Sequence, residues 1–192
     1  AFAALDVAQK AARASGSTTE EVLKGIIPIL NTYGKTGITA AQISDKLFAT
    51  FDQGAATVPE LTASIGQVAG IAQSFGISID ELLGTIAVLT RGGQSASEAI
   101  TNVRQALISI SRPPEVVNQR LAELNKQAGD TQVEFSATAL RTKGLIGVLE
   151  DLQKAGGDAN LEQLLRDTQG FLAASTLLSA GLSPVRDDLE RV

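Results

Sequence analysis

Adjacent acidic residues come nearest to a catalytic pattern in this chain. Four such pairs occur: Glu20–Glu21, Asp80–Glu81, Glu150–Asp151 and Asp187–Asp188. Two carboxyl groups work together as acid and base only where their surroundings shift the pKa of one of them. The first two pairs fall in the first turns of predicted helices, where acidic side chains interact favourably with the helix dipole. We therefore interpret the pairs as capping and solvated residues, and the sequence predicts no catalytic residue and no enzyme.

Side chains that hold metals or nucleotides are also scarce. The sequence contains no His and no Cys, which argues against zinc and iron sites, and no acidic loop has the spacing that binds calcium. Residues 92–97 form a glycine-containing loop before a helix, as phosphate-binding loops do. The loop has no preceding strand and lacks the Gly-Lys-Ser/Thr sequence, so a helix cap is the better interpretation. The sequence predicts no metal and no cofactor.

The charge pattern limits the classes of partner. The formal net charge is −5, and no run of Lys and Arg is longer than two residues. Binding to nucleic-acid phosphates requires a basic surface, so no specific nucleic-acid partner is expected. No stretch of 18 apolar residues is present; the nearest, Ile65–Leu89, contains Asp80, Glu81 and several glycines. Because the chain starts with Ala and contains no Met, we expect it to be a fragment of a longer protein.

Start and stop signals divide the chain into about nine short to medium helices. A Ser or Thr followed three residues later by Glu or Gln caps a helix reciprocally. This pattern occurs at Thr18/Glu21, Thr39/Gln42, Thr57/Glu60, Ser78/Glu81 and Ser95/Glu98. Glycines close many of the other ends. The predicted helices are 2–15, 18–33, 39–53, 57–75, 78–91, 95–111, 113–128, 139–155 and 160–180, with a connector at 130–138 and a last short helix from Pro184.

The apolar periodicity sets the fold class. Apolar residues recur at three- and four-residue steps, as at Val22, Ile26 and Ile29, and sustained alternation typical of strands is absent. The sequence therefore predicts an all-α fold whose helices are joined by Gly-rich turns, with no sheet. Aromatic residues make up 4% of the chain. We accordingly expect thin packing of helices through Ala, Leu and Ile.

One stripe of small residues is a candidate packing surface. Gly66, Gly70 and Ser74 are four residues apart, so they share one face of a helix. Small residues at this spacing let two helices approach closely. Both packing within the molecule and self-association between chains fit the pattern.

Seven segments, in order, resemble the conserved core region of phage tail tape measure proteins. They are LNTYG (30–34), ISDKLF (43–48), TVPEL (57–61), GQVAGIA (66–72), GISIDEL (76–82), AVLTRGG (87–93) and EAITNVRQAL (98–107). A later segment, KGLIGVLEDL (143–152), is similar to the part that follows this core. The resemblance implies a core helical region at 1–111 and a helical continuation at 112–192, either as one domain or as two, within one larger chain.

The resemblance also implies a function. Tape measure proteins are structural: they occupy the tail lumen during assembly in the host cytoplasm, set the tail length, and leave the virion ahead of the DNA. The implied partners are the tail tube protein, tail assembly chaperones, baseplate or tail-tip proteins and further copies of the chain, with membrane contact only during ejection. The alternative from another class is a secreted or membrane-active helical toxin or effector, in which the helices around 65–89 would enter a bilayer.

Overall fold

The structure is all-α, as predicted. The computed structural model describes residues 2–54, 56–128, 131–156, 161–165 and 168–182, and no β-strand occurs within them. The helices are α1 (Phe2–Ser15), α2 (Thr19–Tyr33), α3 (Ala40–Gln53), α4 (Val58–Ser64), α5 (Gly66–Ser74), α6 (Ile79–Arg91), α7 (Ala96–Ser111), α8 (Glu115–Gln127), α9 (Ala137–Lys154), α10 (Leu161–Leu164) and α11 (Thr168–Ala180). A single 3-10 turn (Gly34–Thr36) follows α2.

Reciprocal caps start α2, α3, α4 and α7, which confirms four of the five predicted boxes. At the start of α2, the N–H of Thr18 donates to Glu21 Oε2 at 2.7 Å, and the N–H of Glu21 donates to Thr18 Oγ1 at 3.2 Å. Each box supplies acceptors for two N–H groups that the helix leaves without partners. The helix starts are therefore encoded locally, within four residues each.

The two central helices are α6 and α7. Every residue from Leu82 to Thr90 is buried, and α7 contacts α4, α5, α6, α9 and α11. Helices α1, α2 and α3 pack together and reach the centre through contacts of α3 with α6, whereas α9 and α11 pack against both central helices. Helices from the predicted regions 1–111 and 112–192 thus pack against one another. The centre is deeper than thin packing would give, because α6 is surrounded by several neighbours.

Close approach between helices depends on glycine facing threonine. At three places a Cβ atom added to a glycine would come within 2.8 Å of a threonine side chain of another helix. These contacts are Gly25 with Thr62 (2.5 Å), Gly54 with Thr90 (2.6 Å) and Gly92 with Thr176 (2.8 Å). Any larger residue at these glycines would push the helices apart, so the small side chains determine the spacing of α2 and α4, α3 and α6, and α6 and α11.

Three predicted helix boundaries are wrong in detail. The predicted helix 57–75 is divided at Ile65, whose backbone remains in the right-handed helical region. The residue that follows is Gly66, the weakest helix former of the stretch after proline. Helix α9 begins at Ala137, capped by Ser136, so the connector is shorter than 130–138. In place of one helix at 160–180, α10 ends at Leu164 and α11 begins at Thr168.

Other predictions fall partly or wholly outside the described residues. The short helix from Pro184 and the pair Asp187–Asp188 lie there, as do Gly129 and Gly157, two of the glycines expected to end helices. Gly181, another of those glycines, directly follows α11 and has a φ of 79°.

The segment after α7 is held together by an asparagine. The side chain of Asn125 in α8 accepts the N–H of Val133 at 2.8 Å and donates to the carbonyl of the same residue at 2.9 Å. This pair of bonds replaces the backbone partners that Val133 lacks in the connector. Helix α8 and the connector therefore form one unit, which begins after the Pro113–Pro114 pair.

Two glycine substitutions should separate close helix packing from helix propensity. Gly25→Ala should lower the free energy of unfolding by about 1–3 kcal/mol, because the new methyl group would overlap Thr62. Gly70→Ala should raise it by up to about 1 kcal/mol, because nothing lies within 4 Å of that position and Ala favours helix. Urea titration followed by circular dichroism measures both. Equal effects of the two substitutions would contradict the contact between α2 and α4.

Candidate functional site

The small-residue stripe lies on the exposed face of α5. A Cβ atom at Gly66 would lie 3.2 Å from Pro28 Cβ of α2, so this glycine packs within the molecule. Gly70 has no atom within 4 Å of an added Cβ, and Ser74 Oγ donates to the carbonyl of Ile71 in its own helix at 2.7 Å. Of the two glycines in the stripe, Gly66 packs against another helix and Gly70 does not. Self-association through Gly70 and Ser74 stays a prediction.

The described acidic pairs make caps and ion pairs. Glu20 pairs with Lys24 at 2.9 Å, and Glu21 belongs to the cap of α2. Asp80 forms an ion pair with Lys46 of α3. Asp151 pairs with Lys143 at 2.5 Å. No group of three or more His, Cys, Asp or Glu residues in the described ranges is arranged to hold a metal ion.

The glycine-containing loop at 92–97 binds another part of the chain. Gln94 Nε2 donates to Thr176 Oγ1 of α11 at 3.3 Å, and Gln94 Oε1 accepts from Asn102 Nδ2 of α7 at 2.9 Å. Ser95 caps α7. The polar groups of this loop therefore fix α11 to the centre, which agrees with the predicted role as a cap.

An open cleft of about 400 Å³ lies between α1 and α3. Its walls are largely apolar, with Val7 and Ala11 on α1 and Phe48 on α3, and the charged groups Lys10 and Asp45 also line it. Elsewhere, Leu5, Ile27, Phe51, Ile108 and Leu172 are the large apolar side chains exposed in the described ranges. None of the helices described is both long enough and apolar enough to span a membrane.

The most unusual polar contact joins α6 to the middle of α9. Ser78 caps α6, with the N–H of Glu81 donating to Ser78 Oγ at 3.0 Å. The second bond of the predicted box, in which the N–H of Ser78 would donate to the Glu81 carboxylate, is absent. Glu81 Oε1 instead accepts the N–H of Ile146 at 2.9 Å. The prediction of a reciprocal Ser78/Glu81 box is thus wrong, because this carboxylate caps a different helix.

A sharp bend in α9 makes that contact possible. Gly144 has φ 72° and ψ 178°, so it divides α9 into residues 137–143 and 145–154. This conformation is costly for any residue with a side chain. A Cβ at Gly144 would also lie 2.5 Å from Glu81 Oε2. Glycine is therefore required twice here, for its backbone conformation and for the space that the carboxylate occupies.

Burial is the main influence on the pKa of Glu81 and of Tyr33 beside it. Removal from water raises the pKa of Glu81 above its ordinary value, and hydrogen bonds from the backbone of Ile146 and Leu145 partly oppose that shift. Tyr33 lies nearby, where its hydroxyl donates to the carbonyl of Ile77 at 3.0 Å. Burial first, and the negative charge of Glu81 second, raise the pKa of Tyr33. Glu81 is thus a partly buried acid with no cation among the causes of its shift.

The neighbouring loop is fastened to α9 as well. Gly76 has a φ of 75°, and a Cβ there would lie 3.3 Å from Arg141 Cα. Arg141 Nη2 donates to the carbonyl of Ser74 at 3.4 Å.

Sequence reasoning missed the junction between α6 and α9, which we define as Glu81, Gly144 and the N–H groups of Leu145 and Ile146. The signal in the sequence was the glycine inside the predicted helix 139–155, a position where glycine weakens a helix unless the bend is needed.

The sequence profile of phage-related minor tail proteins matches residues 1–175 of the chain. Searches among curated proteins and among solved structures gave no significant match.

Glu81 should give the protein an unusual dependence of stability on pH. Because its folded-state pKa lies above 4.5, its ionised form costs stability, and this cost appears as the pH rises from 4.5 through the raised pKa. Glu81→Gln keeps an oxygen that accepts the N–H of Ile146. The variant should therefore gain stability relative to the natural chain as the pH rises above 4.5, and the gain should level off once Glu81 is fully ionised.

The matched control is Glu98→Gln. Backbone and side-chain hydrogen bonds from Ser95 lower the pKa of Glu98, so its stabilising effect is present at neutral pH and is lost as the pH falls. Glu98→Gln should therefore lose stability relative to the natural chain at neutral pH. Urea titrations across the pH range measure both variants. If both variants change the free energy of unfolding in the same direction at neutral pH, ionised Glu81 does not destabilise the folded protein.

Proposed function

The chain belongs to the phage-related minor tail protein family, and we propose that it is part of a tape measure protein that sets the length of a phage tail. In this role it occupies the tail lumen during assembly and leaves ahead of the DNA on infection. The proposed partners are the tail tube protein, tail assembly chaperones, baseplate or tail-tip proteins and further copies of the chain.

The observation that carries the proposal is the order of the family segments along the chain. The profile match spans residues 1–175, and the seven segments that resemble tape measure proteins follow one another between residues 30 and 107. Several of them coincide with helix starts and turns, including the caps at Thr57 and Ser78 and the turn at Gly76. The resemblance therefore covers the features that define the path of the chain.

The folded form favours an assembly role over a spacer role for this segment. A continuous helix of 192 residues would span roughly 290 Å, because each residue adds about 1.5 Å. Here the helices fold back on α6 and α7, with turns at Gly37, Gly76 and Gly93 where φ is positive. We infer that the segment acts as a folded part of the ruler, which other tail proteins recognise by shape.

Burial of α6 weakens the case for a bilayer-inserting toxin. The stretch at 65–89 is divided between α5 and α6 by a turn, and α6 buries its apolar residues against α3, α5, α7, α9 and α11. Its apolar character is therefore explained by its central position.

A substitution that breaks the fold without changing chain length tests the proposal. In the phage that encodes the chain, Leu83→Asp places a charge at a fully buried position of α6, whereas Gln67→Asp places the same charge on the exposed face of α5. Leu83→Asp should abolish tails or leave their length unregulated, and Gln67→Asp should leave them normal. Electron micrographs of tail-length distributions give the result.

A deletion of residues 57–107 distinguishes the roles further. If the segment were only a helical spacer, this deletion would shorten the tail by at most about 77 Å and leave a uniform length. A folded assembly part predicts that tails are lost or become irregular, as with Leu83→Asp. Normal tails of unchanged mean length in both variants would remove the chain from any role in tail assembly.

A further inference from the structure

The two helices that border the open cleft line it with residues at steps of three and four. The residues at these steps are Val7, Ala11 and Ala14 on α1, and Ala41, Ser44 and Phe48 on α3. This spacing places small or apolar side chains along one stripe of each helix, as in the core of a helical bundle. Both helices have 14 residues, so each supplies about four turns to such a contact.

Neither stripe is fully covered within one molecule. Val7 and Phe48 are only partly buried against the core, and Ala14 and Ala41 are exposed. Phe51 takes the next position of the stripe on α3, and 40% of its surface is exposed. Two of the six phenylalanines of the chain are therefore accessible on one helix. Accessible aromatic side chains beside a cleft are typical of protein–protein interfaces.

Opposite charges flank the two stripes. Lys10 lies next to the middle residue of the stripe on α1, and Asp45 lies next to the middle residue of the stripe on α3. Lys10 is paired with Asp6 of its own helix at 2.8 Å, and both of these side chains are largely exposed. No described residue forms an ion pair with Asp45. The cleft thus has a cation on one wall and an anion on the other, and the two are not paired with each other.

A surface of this kind is its own complement. In a two-fold dimer both copies use the same surface, so residue i of one copy contacts residue j of the other, and j contacts i. If the two-fold axis runs along the cleft, α1 of each copy lies on α3 of the other. Lys10 of each copy then lies beside Asp45 of the other. An axis across the cleft would instead bring like charges together, so the charges select the first arrangement.

We propose that the chain forms a two-fold dimer whose centre is a four-helix bundle of α1 and α3 from each copy, with Lys10 of one copy beside Asp45 of the other. The stripes form the core of this bundle, and the charges beside them set the orientation of the copies. The dimer covers Phe48 and Phe51. It supplies the surface for one partner of the proposed function, further copies of the chain; its role in the tail rests on that function, whereas the contact itself does not.

Analytical ultracentrifugation with charge-reversed variants tests the proposal. The natural chain should dimerise with a Kd below about 1 mM. Lys10→Glu and Asp45→Lys each turn both attractive contacts between the copies into repulsive ones, so each should weaken dimerisation roughly tenfold. Lys24→Glu is the matched control, because Lys24 belongs to a similar exposed pair on α2, with Glu20, and does not line the cleft. It should dimerise as the natural chain does.

A mixture of the two charge variants gives the sharpest result. When Lys10→Glu and Asp45→Lys chains are combined, the new acid of one faces the new base of the other, and the remaining Lys10 faces the remaining Asp45. The equimolar mixture should therefore dimerise about as tightly as the natural chain, although each variant alone does so weakly. General damage to the fold cannot produce this recovery.

A second pair of variants tests the stripe on α1. Ala14→Arg places a charge at an exposed position in the cleft and should abolish dimerisation, whereas Gln9→Arg, exposed on the opposite side of α1, should leave it unchanged. Circular dichroism should show the same helix content in both. A natural chain that stays monomeric, or charge variants that fail to recover when mixed, would overturn the dimer. Tail lengths test the proposed function and sedimentation tests the dimer, so the failure of one is distinguishable from the failure of the other.

Discussion

Close packing of small side chains is the constraint on which this structure depends. A chain with so few aromatic residues gains its core from many Ala, Leu, Ile and Val contacts, and these act only over short distances. The contacts of glycine with threonine bring the helices to that distance. The buried Thr50, Thr62 and Thr90 each donate a hydrogen bond to a carbonyl of their own helix. The hydroxyl of Thr85 is buried in α6 without a hydrogen-bond partner.

The acids of the chain fall into two physical classes. Those in the exposed caps, such as Glu21, Glu60 and Glu98, have a pKa lowered by hydrogen bonds and stabilise a helix at its own start. Glu81 has a pKa raised by burial and stabilises the start of a helix 65 residues further along the chain. The same residue type thus makes a local, robust contact in one setting and a long-range, costly one in the other.

That difference explains which of these contacts could be predicted from the sequence. Helix starts at Thr18, Thr39, Thr57 and Ser95 were predictable because all the groups involved lie within four residues. The partner of Glu81 was not, because Ser78 and Glu81 have the spacing of a local box and only tertiary packing directs the carboxylate elsewhere. The break at Ile65 and the bend at Gly144 each involve a glycine that weakens the helix locally, but the sequence contains other helical glycines, such as Gly84, that do not interrupt their helix.

The single tyrosine lies beside the junction. Tyr33 is the only tyrosine in a chain without tryptophan, and its buried hydroxyl is bonded to the carbonyl of Ile77 immediately before α6. The tyrosine fluorescence of the native protein therefore originates from one place in the molecule. An optical signal from unlabelled protein would report the surroundings of the α6 start, and would do so separately from the helix content that circular dichroism averages over the whole chain.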